Sequence, residues 1–285
     1  YLTLGGDYRL RYEHHSNQSF GLRGDFSTDS ILHRMMLHGD LQFKSARVFI
    51  QIADFKEHGQ LGGPGPFDES DLDLQLAFVN WTSVWGKHRM GRQEISLGGG
   101  KKTGLREGPN QRRAFDGVRF SMNLVNRGPL DFIYGREVQP NPSFFKDQSY
   151  SGPKLFGVWA NSLFNWNEAV HLDLFYLGFE RKNAIYNQGV GDEKRHSLGA
   201  RFWKRTGFVQ FDYEATYQFG DFANGDISAW GLATETSFRL NDRTLQPRLG
   251  FKLNFASGDD NPNDNELGTY NALFPNPTYV SQAAI

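Results

Sequence analysis

The sequence contains no cysteine, which excludes disulfide frameworks, cysteine zinc sites and thiol nucleophiles. It also lacks any apolar run of about 18 residues, so a helix that crosses a membrane is excluded. Neither sign of charge is in excess, because 31 Lys and Arg residues are balanced by 32 Asp and Glu residues. A bulk basic field is therefore excluded, and we expect no nucleic-acid partner. Patterned sequence begins at Tyr1 without a signal peptide, so we expect a mature or trimmed form.

Aromatic residues and glycine are abundant instead, since the 285 residues include 25 Phe, 11 Tyr, 6 Trp and 32 Gly. These residue types are typical of pleated strands and tight turns. The dominant pattern has a period of two, with apolar residues on one face of a segment and charged residues on the other. It is clearest at 2–13, 34–44, 209–219 and 245–255. Length alone allows two soluble domains or one large barrel, and this pattern favours an all-β fold.

Further segments follow the same pattern less strictly, so the sequence predicts about thirteen strands in all. They lie near 46–55, 71–81, 87–97, 114–123, 130–138, 153–160, 168–180, 195–203 and 228–240. Many are long enough for a tilted strand that crosses a bilayer, which needs about 9–11 residues. The expected fold is therefore a transmembrane antiparallel up-and-down β-barrel. The alternative is a soluble carbohydrate-binding β-sandwich, which also alternates, with its apolar face inward.

Long and short connections alternate along the chain, as they do in outer-membrane barrels, where the long loops are external. The long ones are expected at about 14–30, 56–70, 98–112, 139–152, 181–194 and 257–285. Residues 1–285 then form a single barrel domain. Because a closed single-chain bacterial barrel has an even number of strands, an odd number predicts that this domain is truncated near its C-terminal end.

If the apolar face meets lipid, the charged face lines a lumen. An arginine turned toward lipid at the middle of the bilayer would cost about 2–4 kcal/mol, and this cost decides which face of the sheet turns inward. The predicted lumen residues on strands are Asp7, Arg9, Arg11, Arg34, Arg47, Arg119, Arg201, Asp212, Glu214, Arg248 and Lys252. Arginines there can bind carboxylates, and mixed signs keep such contacts short-lived, as conduction requires. The alternative is that Arg–carboxylate ladders only brace the wall.

Five stretches carry a likeness to a known family. They are DYRLRYE at 7–13, HRMGRQEI at 88–95, LREGPN at 105–110, RRAFDGVR at 112–119 and FASGDD at 255–260. Together they resemble the alginate-export family of bacterial outer-membrane porins. The resemblance extends over essentially the whole chain as a pattern, and its most specific parts lie around Gly91-Arg92-Gln93 and Phe115-Asp116-Gly117.

The resemblance implies a monomeric outer-membrane barrel of about 18 strands, with an electropositive lumen that passes an alginate-like polyuronate outward. It also implies that Arg92, Arg112 and Arg113 belong to the conduit. The function it implies is passive transport without a cofactor, and not an enzyme. The implied partners are outer-membrane lipids and lipopolysaccharide, an anionic polysaccharide or oligosaccharide, and periplasmic export partners. The carboxylates of the predicted lumen keep open an uptake porin for small anionic or sugar solutes.

Three weaker patterns favour ordinary structure over a site. The glycine and lysine run at 98–103 lacks the spacing of a phosphate loop and predicts a flexible basic loop. Asp259, Asn261 and Asn263 are a weak calcium candidate, but an EF-hand is excluded and a solvated acidic turn is favoured. His171 and Asp173 share a face without a serine to complete a triad, so a barrel enzyme is disfavoured.

Overall fold

The computed structural model describes residues 1–16, 27–166, 169–240 and 247–276. Within these residues, the strands are β1 (Leu2–Ser16), β2 (Ser27–Gln42), β3 (Ala46–His58), β4 (Ser70–Ser83), β5 (Gly86–Gln93), β6 (Phe115–Asn123), β7 (Pro129–Glu137), β8 (Lys154–Trp166), β9 (Val170–Tyr186), β10 (Gly189–Lys204), β11 (Val209–Phe222), β12 (Gly225–Arg239), β13 (Arg248–Ala256) and β14 (Glu266–Leu267). Strands β1 to β12 each pair antiparallel with the next strand along the chain, and β14 pairs in parallel with β12. In the described ranges, no helix is long and apolar enough to cross a membrane.

Alternating side chains explain why these segments form strands. In β2, Leu32, Arg34 and Met36 are buried, whereas Met35 and Leu37 between and beside them are exposed. The same alternation gives the whole sheet an apolar exposed face, which includes Leu2, Leu4, Leu10, Ile50, Val79, Met90, Val118, Leu198 and Leu232. The all-β antiparallel up-and-down fold that the period predicts is confirmed.

The sheet curls around two segments that lie against its concave face. We call residues 94–114, which connect β5 to β6, the inserted loop, and residues 268–276 the returning segment. The inserted loop contacts Arg9 in β1 and Asp212 in β11, which lie ten strands apart in the sheet. One loop can reach both strands only because the sheet curves around it.

A hydrophobic cluster occupies part of this interior. Its wall residues include Phe115, Leu155 and Trp159, all with 0% exposure, and Phe274 of the returning segment packs against them. The ring of Trp159 stacks on Phe175 with centroids 4.3 Å apart. The concave face is therefore partly apolar, which the simple division into an apolar outside and an ionic inside does not predict.

Strands β1 and β13 lie at the two ends of the sheet. Every residue of β13 is exposed, and its apolar members Leu249, Phe251 and Leu253 keep 62%, 52% and 53% exposure. A soluble sandwich would bury these side chains between two sheets. The strands instead follow one another in a single sheet, which excludes that alternative.

Some expected connections differ from the structure. The loop expected at 181–194 is wrong, because β9 continues to Tyr186 and β10 begins at Gly189, leaving a turn at 187–188. Arg181 pairs with Glu193 across this hairpin, and Ala184 packs with Phe222, so the segment stays extended. β1 and β2 also extend into the loop expected at 14–30, whose remainder, 17–26, lies outside the described residues. The connections expected at 56–70, 98–112 and 139–152 correspond to 59–69, 94–114 and 138–153.

Candidate permeation pathway

The concave face holds all the strand residues that alternation predicts for the lumen. Register partners share a face of the sheet, and this places inward Asp7, Arg9, Arg11, Arg34, Arg47, Arg119, Arg201, Asp212, Glu214, Arg248 and Lys252. Many of them contact the inserted loop or each other. The described structure therefore brings the predicted charges into one interior.

Arg92 does not lie in this interior. Its strand neighbour Gln93 is fully buried inside, so alternation places Arg92 on the other face. Its side chain is 11% exposed there and forms an ion pair of 2.9 Å with Asp116. Its guanidinium also donates to the carbonyl of Asp147 in the connection 138–153. The conduit role that the resemblance implied for Arg92 is thus at odds with its position, because the alternation of side chains along β5 turns Arg92 away from the lumen.

One group of arginines anchors the inserted loop to β1 and β2. Arg9 Nη1 donates to the Glu107 carbonyl at 3.2 Å, and Arg11 Nη1 donates to the Gly108 carbonyl at 2.6 Å. Arg34 Nη1 lies 3.1 Å from Glu107 Oε2. Arg112, in the loop itself, contacts the Glu107 carboxylate at 2.9 Å. Here the arginines bind the loop rather than open water.

A second group anchors the same loop to the opposite wall. Arg201 lies 3.1 Å from Asp173 and donates Nε to Asp212 at 2.8 Å, and Lys101 of the inserted loop also pairs with Asp212. Lys102 Nζ lies 3.0 Å from Glu214 Oε1, with both side chains at most 5% exposed. Burial alone would lower the pKa of Lys102, but Glu214 and Tyr270 together outweigh it and raise that pKa. This lysine therefore stays charged, and the loop is fixed by buried ion pairs.

The returning segment completes the packing of the interior. Main-chain hydrogen bonds of 2.8 and 3.0 Å join Phe274 to Lys102 and Gly104. Arg113 lies 2.9 Å from Glu137, donates to the Pro275 carbonyl at 3.2 Å and stands over the Phe274 ring. Arg112 and Arg113 thus lie inside the sheet, and both are paired with carboxylates.

Near the short turns, four inward residues form what we call the arginine row. Arg47, Asn80, Arg89 and Arg119 are successive register partners on β3, β4, β5 and β6. Asp40 binds Arg47 through two hydrogen bonds of 2.8 and 3.0 Å, and Asp131 binds Arg119 through two of 3.1 and 2.9 Å.

Arg89, in the middle of the row, has a different environment. Its Nε donates to Asn80 Oδ1 at 2.8 Å, and its guanidinium lies 4.1 Å from the centroid of the Phe78 ring. Among the described residues, no carboxylate lies within ion-pair distance of it. Arg89 also borders a recess of about 250 Å³ that Arg119 and Ser121 line with it. The arginine row therefore holds one uncompensated positive charge beside open space.

A second recess of about 270 Å³ opens at the short-turn end of the opposite wall. It is lined by Lys204 and Arg248 and by the carboxylates of Asp212 and Glu235. Lys252 lies 3.4 Å from Glu235, with both side chains about two-fifths exposed. Mixed charges beside water are suited to shallow binding of an anionic solute.

The weaker sequence patterns have ordinary surroundings. Within the described ranges, no three or more His, Asp and Glu side chains form a group that could hold a metal ion. Asn261 accepts a hydrogen bond from the main-chain N–H of Asn263, and Asp259 lies in the same turn region. Asp173 accepts hydrogen bonds from the indole N–H of Trp203 and from the main-chain N–H of Ser162.

Sequence reasoning missed the anchoring lysines and Arg89. Lys101 and Lys102 were expected in a flexible basic loop, whereas each has only 4% exposure. Nothing local to a glycine–lysine run indicates burial against a distant strand. Arg89 did carry a signal, since it shares its face with Arg119 across the predicted pair of strands.

Comparisons with known proteins agree with this architecture. The sequence profile described as "Alginate export" matches residues 1–285. The crystal structure of Pseudomonas aeruginosa OccK2 (OpdF) in complex with glucuronate has a TM-score of 0.56 and 13% identity, covering 91% of this chain and 66% of that one. Acinetobacter baumannii OccAB3 has a TM-score of 0.50 and 8% identity, with coverages of 91% and 82%. Acinetobacter baumannii OccAB4 has a TM-score of 0.51 and 9% identity, with coverages of 90% and 68%. Among curated proteins, no sequence matches the chain.

Proposed function

The chain belongs to the alginate export family and is a β-barrel protein of the bacterial outer membrane, and from this premise we propose that it passes an alginate-like anionic polysaccharide. The path runs along the concave face, past the cationic side chains of the two recesses. The proposed transport is passive and involves no cofactor and no covalent step. Periplasmic export partners, which the family resemblance implied, stay a prediction.

The observation that carries the proposal is the uncompensated charge of Arg89. Its guanidinium is positioned by a neutral amide and an aromatic ring, so its electrostatic attraction is available to a solute. A carboxylate that enters the 250 Å³ recess can accept hydrogen bonds from this guanidinium. Charge-assisted hydrogen bonds of this kind contribute about 1.5–3 kcal/mol.

The neighbouring ion pairs keep such binding shallow. Arg47 and Arg119 are already bound by Asp40 and Asp131, so a uronate can share them only in competition with those carboxylates. A polymer that carries a carboxylate on each sugar can then exchange one carboxylate for the next at Arg89. Conduction requires binding that is strong enough for the solute to enter a site and weak enough for it to leave again.

A second candidate function is the uptake of small uronates. The inserted loop and the returning segment fill much of the interior, and this favours a small solute over a polymer. The OccK2 structure, whose chain is similar in fold, is described as a complex with glucuronate. Monomer and polymer present the same carboxylated sugar, so the arginine row suits both.

Single-channel recordings in planar bilayers test the two candidates. We expect oligouronates to block the current of the purified protein, and Arg89→Gln to weaken this block about tenfold because one charge-assisted contact is lost. Arg127→Gln is the matched control, since Arg127 is an exposed short-turn cation that stands over Phe164. Equal block by glucuronate and oligouronate at equal carboxylate concentration would favour small-solute uptake. Block that Arg89→Gln leaves unchanged would refute the role of the arginine row.

A further inference from the structure

A charged row lies on the outer face of the sheet, at the ends of the strands that carry the long connections. Arg136, Lys154, Glu180 and Lys194 are register partners on β7, β8, β9 and β10. The strand neighbours of these residues are buried inside, namely Glu137, Leu155, Phe179, Glu193 and Arg195. The row therefore faces away from the lumen and toward the surroundings of the barrel.

An aromatic row marks the depth of these charges. Tyr134, Phe156 and His196 lie two residues from Arg136, Lys154 and Lys194 on the same face. Gly178 continues this row on β9, and a Cβ there would meet the Phe156 ring.

Aromatic side chains form girdles at the boundary between the apolar band of a barrel and water. Two residues along a strand span about 7 Å, so the charged row lies just beyond the boundary that the aromatic row marks. This is the level of lipid headgroups.

The charged row borders a recess of about 340 Å³ at this rim of the sheet. Arg181 and Glu193, which also border it, pair with each other on the inward face. The other lining residues include four cations and two carboxylates, an excess of two positive charges. The Lys154 ammonium lies 2.6 Å from the Glu180 carboxylate, and Arg136 donates to the Tyr150 carbonyl. In the described ranges, Lys182 and Lys194 make no ion pair. The recess therefore combines an open volume with cations that are free to bind an anion.

The opposite rim has an aromatic outer face, with a recess of about 340 Å³ that the rings of Trp81, Phe120 and Phe132 border together with Arg89 and Arg119. There the register row consists of Trp81, His88, Phe120 and Phe132, whose rings follow one another at 4.9, 4.7 and 5.9 Å. This row contains no Lys, Arg, Asp or Glu. The recess bordered by lysines lies at the rim with the long connections, which is external in outer-membrane barrels.

We propose that the recess binds the phosphorylated headgroup of an outer-leaflet lipid. Lys154 and Lys194 would hold the phosphate, with Arg136 and Lys182 at its sides, while the acyl chains lie against Tyr134 and Phe156 below. Phosphate suits the recess because it carries up to two negative charges, which match the excess of two positive charges. Lys154 and Lys194 project from the outer face, whereas the proposed permeation pathway follows the concave face.

Native mass spectrometry of the detergent-solubilised protein with bisphosphorylated lipid A tests the proposal. We expect one lipid A to bind, and K154Q/K194Q to weaken its binding about 25-fold, since each lysine near an anionic surface contributes about fivefold. K154R/K194R keeps the charges and should bind as the parent does. Arg127→Gln removes an exposed cation at the other rim and should leave the affinity unchanged. Heat-modifiable migration on gels verifies that each variant is folded.

Two further probes identify the anion that is bound. Dephosphorylated lipid A should bind at least tenfold more weakly than the bisphosphorylated form, and inorganic phosphate at equal concentration should not compete. The proposal is overturned if K154Q/K194Q binds lipid A as the parent does, if Arg127→Gln weakens binding equally, or if inorganic phosphate competes as well as the lipid.

Discussion

Replacing Glu214 with glutamine should release the inserted loop from the wall. Glu214 is 1% exposed and sits on the concave face of β11, where its carboxylate faces the Lys102 ammonium at 3.0 Å. The variant keeps the size and shape of the side chain but removes its charge. Lys102 then remains buried with Tyr270 as its neighbour and without a carboxylate.

The expected effect is large because both partners are buried. Removing one partner of a buried ion pair costs about 3–5 kcal/mol, since an uncompensated charge remains. Each 1.4 kcal/mol changes an equilibrium about tenfold, so the population with a detached loop should rise at least a hundredfold. Lys101 and Asp212 lie in the same group, and their ion pair should weaken with it.

Limited trypsinolysis of the folded protein measures this population. Lys101, Lys102 and Arg106 are each 4% exposed, so trypsin should cleave there only when the loop leaves the wall. Glu235→Gln is the matched control, because Glu235 pairs with Lys252 in a half-exposed ion pair worth about 0–1 kcal/mol. Cleavage of Glu214→Gln at the same rate as the control would refute the reasoning, as would a single-channel conductance equal to that of the parent.

Three further predictions concern the loop and the outer face. Burial and the Glu107 carboxylate raise the pKa of Glu94 against the opposing charge of Arg112, so Glu94 should protonate at a higher pH than an ordinary glutamate. Anion selectivity, measured as a reversal potential in a salt gradient, should therefore rise as the pH falls from about 7 toward 5, and Glu94→Gln should show the low-pH selectivity already at neutral pH. Gly98 has φ +55°, and a Cβ there would meet the Trp159 ring. Gly98→Ala should therefore lower the free energy of unfolding, measured by denaturant titration, by about 1–3 kcal/mol. Gly108→Ala is the control and should not lower it, because a Cβ at Gly108 meets nothing within 4 Å. Arg92→Gln should leave ion selectivity unchanged, because Arg92 faces outward, and a selectivity change as large as that of Arg89→Gln would contradict this placement.

The sheet could be predicted from the sequence because its strands are long and alternate strictly. In β11, Gln210, Asp212, Glu214 and Gln218 occupy one face. A shift of the strand register by one residue would point all four side chains toward lipid. Such a pattern leaves one orientation for each strand. The inward position of Arg9, Arg11, Arg34 and Arg201 follows from the same rule.

The interior could not be predicted in the same way, because loops obey no period. Lys101 contacts Asp212 across 111 positions of sequence, and Arg9 contacts Asn110 across 101. These contacts depend on how the sheet curls, which alternation does not specify. Arg92 was misplaced for a related reason, since the residues on both faces around it are mixed and its direction came from a resemblance alone.

Charge rows on the outer face were also beyond sequence reasoning. Lys154 and Lys194 lie far apart in the chain and become neighbours of Glu180 only through the register of β8, β9 and β10. The segment 181–194 was expected to be a long loop because long and short connections alternate along the chain. Its inward residues instead pair with each other, as Arg181 does with Glu193 at 2.9 Å.

The central claim is that solutes pass along the concave face while the apolar face meets lipid. Single-cysteine variants test it cleanly, because the parent chain has no cysteine. Val118 is 45% exposed on the outer face of β6, and its neighbour Arg119 lies in the arginine row. A water-soluble anionic thiosulfonate should lower the single-channel current of Arg119→Cys and leave that of Val118→Cys unchanged. Current loss in Val118→Cys, with none in Arg119→Cys, would contradict the account.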